Sequence, residues 1–134
     1  MSELRLVVPM LPPSGNHYKS YRIVVPKNGG KPFAQWYLTS EAEAWMDAVA
    51  VVAGGQQLRG PSLELQYIVY LPDRRRRDTA NFEKCLSDAL THCGAIEDDS
   101  LITDIHGHKR YDPANPRTVI VVRTEQESLL DATA

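Results

Sequence analysis

The chain has 134 residues, 43% of them apolar and 24% charged, with a net charge of −2. This length suits one compact domain with one hydrophobic core, and the longest apolar runs (Leu6–Val8, Ala48–Ala53 and Val119–Val122) fall far short of the roughly 20 residues that span a bilayer. The acidic balance excludes a simple nucleic-acid coat, which is basic overall, so any polyanion must be met by local clusters and the acidic residues must be used somewhere specific.

In chain order, Leu4–Pro9 alternates loosely and ends at proline, which predicts a short first strand. Pro12-Pro13-Ser14-Gly15-Asn16 is loop chemistry: two fixed φ angles and then a permissive glycine. A second strand is expected over Tyr18–Val25, and Lys27–Pro32 reads as an exposed turn. Ser40 with Glu43 three residues later fits a capping box, so an amphipathic helix should run from Glu41 to Ala53 and stop at Gly54-Gly55. Ser62–Tyr70 alternates and then turns fully apolar, as a central strand does, before Pro72 stops it. A second helix is expected from Thr79 to His92, with Asp78 as its N-cap and Gly94 beyond its end. Leu101–Tyr111 forms a further segment and Arg117–Thr124 a last strand. Residues 125–134 read as a frayed or helical tail.

The chain shows no internal repeat and no linker. Residues 1–134 are therefore expected to be one α/β (α+β) domain, a small mixed sheet with two principal helices packed on it. Cys85 and Cys93, eight apart on one expected helix, sit about 12 Å apart at ~1.5 Å per residue, too far for a disulfide. The start lacks the charged-then-apolar pattern of a secretory leader, so the cytoplasm is the expected compartment.

The segment Pro72–Asp99 carries most of the chemistry. Arg74, Arg75, Arg76 and Arg77 precede a helix N-terminus, where guanidinium forks and first-turn N–H groups together suit phosphate. A charge run is often no more than a solvated face. On the following helix, however, Asn81, Lys84 and Asp88 share one stripe, with Phe82, Leu86, Ala89 and Leu90 opposite. That stripe begins beside Asp78, and Asp98-Asp99 can return two carboxylates if the loop after Gly94 folds back. Carboxylates from separate segments beside phosphate binders suit Mg²⁺, which needs one or two of them. Lys84 would stabilise charge that builds on the phosphate in the transition state.

The run Asp-Arg-Arg-Arg-Arg-Asp-Thr-Ala-Asn-Phe-Glu-Lys-Cys-Leu-Ser-Asp-Ala-Leu (73–90), then Gly94 and Asp98-Asp99, resembles the RusA family of Holliday junction resolvases. The segment from Pro12 to Tyr18, with Asn16, resembles that family's N-terminal signature, and Lys109 matches a lysine of its penultimate strand. The resemblance spans Leu4 to Thr124. It implies a homodimer, typical of phages and prophages, that binds four-way DNA junctions and makes paired nicks with Mg²⁺ or Mn²⁺ and no organic cofactor. Asp78 and Asp99 match metal-binding aspartates, while Arg77 and Lys84 match basic residues of DNA handling or catalysis. Asp88 and Asn81 match motif positions that support the site, with Asp88 also a candidate ligand. Arg74, Arg75, Arg76, Lys109 and Asn16 are expected on the DNA face, and Asp98 as support.

One position departs from the pattern. The family reads Asp-x-Asp-Asn, and this chain reads Asp78-Thr79-Ala80-Asn81. Alanine has no ligand atom. Either other carboxylates such as Asp88, Asp98 or Asp104 take over, or the aspartate was replaced to silence the enzyme, or the chain binds branched DNA without cutting it. Elsewhere, His106 and His108 alternate but have no nearby Cys or third His for zinc, which favours ordinary surface histidines. Tyr18, Tyr21, Trp36 and Tyr37 could stack on unpaired bases; the simpler expectation is that they are core.

Overall fold

The computed structural model describes residues 2–13, 18–75 and 82–124. Its elements are β1 (Glu3–Val8), β2 (Lys19–Val24), β3 (Phe33–Leu38), α1 (Ser40–Ala53), β4 (Leu63–Leu71), α2 (Phe82–His92), a 3₁₀ turn (Asp99–Leu101), β5 (Ile102–Tyr111) and β6 (Arg117–Thr124). The main sheet has the strand order β1-β6-β4-β5, and β2 pairs with β3 in a separate two-stranded ribbon. In the main sheet β1 and β4 both run antiparallel to β6, while β5 runs parallel to β4. The mixed sheet with two helices is the expected α+β arrangement.

Strict alternation puts one face of the sheet inside. Leu4, Leu6 and Val8 of β1, Ile120 and Val122 of β6, and Leu63, Leu65, Tyr67 and Val69 of β4 are all buried. Both helices join this single core: α1 through Ala42, Trp45, Met46, Val49 and Ala53, and α2 through Phe82, Cys85, Leu86, Ala89 and Leu90. Each large aliphatic or aromatic side chain so buried contributes roughly 1.5–3 kcal/mol. The Trp45 indole N–H would be costly inside without an acceptor; it donates to the Cys85 carbonyl at 3.0 Å and ties the helices together. Both cysteines are free, as expected.

Parallel β4 and β5 require a crossover, and α2 lies within it. At mid-sheet Tyr67 pairs with Gly107. A Cβ at position 107 would meet the Tyr67 ring and hydroxyl at 2.4 Å, so glycine lets the tyrosine lie across the edge strand.

Three expectations are corrected. The α1 cap is Thr39, whose hydroxyl accepts from Ala42 N–H at 3.2 Å, one residue before the expected Ser40. A strand follows the Lys27–Pro32 turn, so the region is a hairpin. Of the aromatics expected in the core, Tyr18 alone is buried, whereas Tyr21, Trp36 and Tyr37 are 55%, 66% and 44% exposed. The stop at Gly54 is as read, with φ at +58° in the left-handed region that favours glycine. The expected α2 N-cap, Asp78, and the tail 125–134 lie outside the described residues.

Candidate functional site

Strand β4 ends at Leu71 because Pro72 follows. The chain then turns on Asp73, which accepts from Arg75 N–H at 3.0 Å and pairs with the Arg75 side chain at 3.4 Å. Because β5 runs parallel, its own end arrives at the same place: Val69 pairs with Lys109 and Leu71 with Tyr111. The Arg74 guanidinium lies 4.5 Å from the centre of the Tyr111 ring, a cation–π contact. Asp73, Arg74, Arg75, Lys109, Arg110 and Tyr111 line an open cleft of about 310 Å³. Behind it, Asp112 N–H donates to the Leu71 carbonyl at 2.8 Å and the Asp112 carboxylate pairs with Arg117 at 2.9 Å, which fixes the turn. Clefts at the carboxyl ends of parallel strands are the usual ligand sites of α/β sheets. This one is strongly cationic. It unites Arg74, Arg75 and Lys109, all expected on the DNA face, and adds Arg110 and Tyr111, which sequence reasoning missed.

On α2, Asp88 is half-buried. The Tyr18 hydroxyl donates to its Oδ2 at 2.5 Å, and Lys84 Nζ stands 3.6 Å from the same oxygen. Burial, and then the hydrogen bond to Asp88 and its charge, push the Tyr18 pKa well above the ordinary tyrosine value. Tyr18 therefore keeps its proton at neutral pH and remains a donor. Lys84 is 61% exposed, so its ion pair adds little stability; its head is available to a ligand. The Tyr18 carbonyl also accepts from Thr39, through N–H at 3.1 Å and the hydroxyl at 3.3 Å. Tyr18 thus joins the base of the hairpin to α1 and α2. Tyr18 closes the segment that resembles the family's N-terminal signature, but no local pattern pairs it with Asp88.

Asp98 and Asp99 are exposed around the 3₁₀ turn, where Asp98 accepts from the Ser100 hydroxyl. That hydrogen bond holds the Asp98 pKa below the usual carboxylate value. The turn leads into Ile102, which pairs with Leu63 at the start of β4. The two aspartates therefore enter at the opposite end of the strand pair from Arg74, Arg75 and Lys109. The length of β4, about 26 Å at ~3.3 Å per residue, lies between those ends. The structure does not bring these two groups together within one chain. Among the described residues, no three His, Cys, Asp or Glu side chains gather closely enough to hold a metal. Exposed carboxylate oxygens at Asp98 and Asp99 still suit Mg²⁺ as donors, since that ion needs one or two. Asn16, Arg76, Arg77, Asp78, Ala80 and Asn81 lie outside the described residues. His106 and His108 are exposed and pair with Gln66 and Ile68, away from the helices.

Comparison with known proteins bears on this arrangement. Residues 10–123 match the family described as Endodeoxyribonuclease RusA. The chain is 32% identical over 130 residues to a crossover junction endodeoxyribonuclease RusA of Aquifex aeolicus (strain VF5), covering 94% of this chain and 95% of that one. It is 34% identical over 96 residues to a crossover junction endodeoxyribonuclease of Enterobacteria phage 82, covering 69% of this chain and 72% of the relative. The same shares hold for a relative from Escherichia coli (strain K12), at 33% identity. With the motif of residues 73–90, the sheet and helices, and a match over most of its length, the chain belongs to the RusA endodeoxyribonuclease family.

Proposed function

We propose that this chain resolves four-way DNA junctions by paired nicks, acting as a homodimer with Mg²⁺ or Mn²⁺. The observation that carries this reading is the cleft in which β4 and β5 unite Arg74, Arg75 and Lys109, in a chain of this family. Arginine forks and the Lys109 ammonium seat backbone phosphates there, with Arg76, Arg77 and Asn16 extending the contact. Asp78 and Asp99, supported by Asp98 and Asn81, are the oxygen donors that would hold the metal. When bound there, the ion supplies an activated water and polarises the phosphoryl oxygen. Lys84 stabilises charge on the phosphate, and Asp88, gripped by Tyr18, positions Lys84.

Two features support the dimer. A junction has two-fold character that matches a two-fold protein. The carboxylate end of one chain also lies a strand's length from its own cationic cleft, so a second copy offers the missing neighbour. Members of this family from bacteria and phage fit a cytoplasmic setting, and among the described residues no helix is long and apolar enough to cross a membrane.

Ala80 favours one second reading, a dimer that binds branched DNA without cutting it. The test is cleavage of a synthetic four-way junction with Mg²⁺ or Mn²⁺ by this chain and by Ala80→Asp. Nicks from the unaltered chain, enhanced by Ala80→Asp, are expected. Binding without nicks, with cleavage appearing in Ala80→Asp, supports the second reading. No preference of either form for the junction over duplex rejects both.

A further inference from the structure

The β2–β3 hairpin stands apart from the main sheet, and its surface is unusual. Tyr21 pairs with Trp36 across the ribbon, the rings 5.2 Å apart and tilted by 50°. Ile23 follows Tyr21 at the alternate position of β2, so it extends the same face; Val25 lies just beyond the strand, and all four side chains are more than half exposed. A two-stranded ribbon is marginal in water, and an exposed apolar face on one points to a partner. Charge says which kind. Lys19, Arg22, Lys27 and Lys31 are all exposed, and no Asp or Glu occurs between Glu3 and Glu41. A chain of net charge −2 thus keeps one arm purely cationic. An aromatic face flanked by cations and free of carboxylates matches nucleic acid whose bases are accessible for stacking.

We propose that this hairpin is a DNA arm that stacks Tyr21 and Trp36 on unpaired bases at the branch point and sets its cations on the flanking phosphates. The proposal rests on the junction-nuclease reading and adds a determinant of substrate choice outside the cleft. The arm's base is firm, since Tyr18 fastens it to the α1 cap and to Asp88. An occupied arm therefore bears on the residue that positions Lys84. Paired duplex hides its base faces, so the arm selects branched over linear DNA.

The experiment compares the full chain with the double variant Tyr21→Ala/Trp36→Ala, titrating a fluorescent four-way junction and a linear duplex of the same sequence without divalent metal. Both residues are exposed, so the double variant should fold; Trp36→Phe, which keeps a stacking face, is the companion. The expected result is a loss of at least about tenfold in junction affinity, ~1.4 kcal/mol, with duplex affinity unchanged and Trp36→Phe close to the parent. Of the two tryptophans, Trp45 is buried, so junction-specific quenching of intrinsic fluorescence reports Trp36 directly. If the parent prefers the junction and the double variant keeps that preference, the arm proposal alone falls. If the parent shows no preference, the underlying reading falls with it. If the double variant becomes monomeric in sedimentation, the face belongs to a second copy and the proposal is overturned.

Discussion

The hydroxyl of Tyr18 meets Asp88 where a carboxylate short of donors would be poorly solvated. Removing it with Tyr18→Phe should cost about 1–3 kcal/mol, the range for a part-buried hydrogen bond to a charged group. A double-mutant cycle with Asp88→Ala, which leaves no acceptor, isolates the pair: urea unfolding should give a coupling of about 1 kcal/mol or more. Additive costs would show that the contact does not stabilise the fold. This pair was not legible in the sequence. Tyr18 and Asp88 are 70 residues apart, and the sequence offers a local pattern for neither as a partner of the other. Lys84 and Asp88, four apart on a helix, could be placed on one stripe by period alone, and they do form an ion pair.

For the elements, legibility followed burial. Strand β4 buries every second residue along its length, and its alternation can be read directly over Leu63–Gln66, before the sequence turns fully apolar. Strand β3 exposes all its residues except Leu38, so period two carries no signal there, and the sequence pattern shows only one strand and a turn of the hairpin. The α1 boundary shows a finer limit. Thr39 and Ser40 are both competent caps, and Ser40 with Glu43 completes a familiar box. The backbone decides for Thr39, whose extended φ and ψ (−69°, 162°) aim its hydroxyl at Ala42 N–H. Thr39→Ala should therefore destabilise the protein by about 1 kcal/mol, while Ser40→Ala stays within a few tenths. Thermal unfolding of the two variants side by side checks this; the reverse order would return the cap to Ser40.

Across the whole molecule, strand order and parentage of the cleft depend on long-range pairing that composition cannot reveal. Lys109-Arg110-Tyr111 is visible as a basic-aromatic triplet, but its meeting with Arg74 follows from the parallel register of β4 and β5. The same packing sets a property of the entire fold, its response to alkali. The Cys85 thiol, buried on α2 and donating to the Pro13 carbonyl at 3.4 Å, is pushed by burial and then by the nearby Asp88 charge from 9.0 up to about 11. Tyr18 is raised from 10.0 by burial and Asp88 together. In both cases the folded state holds its proton to higher pH than the unfolded chain does, so unfolding releases protons and stability falls as pH rises. The contribution of Cys85 is complete below pH 9.0 and is lost up to about 11; that of Tyr18 starts to fall above 10.0. The urea midpoint should thus stay level from pH 7 to the high 8s by this pair and then decline. Cys85→Ala, after its own constant packing cost, should flatten the first part of that decline, and Tyr18→Phe the part above 10. Curves for both variants running parallel to the parent would show that neither group carries the alkaline limb, and that the half-buried cluster around Asp88 is open to water.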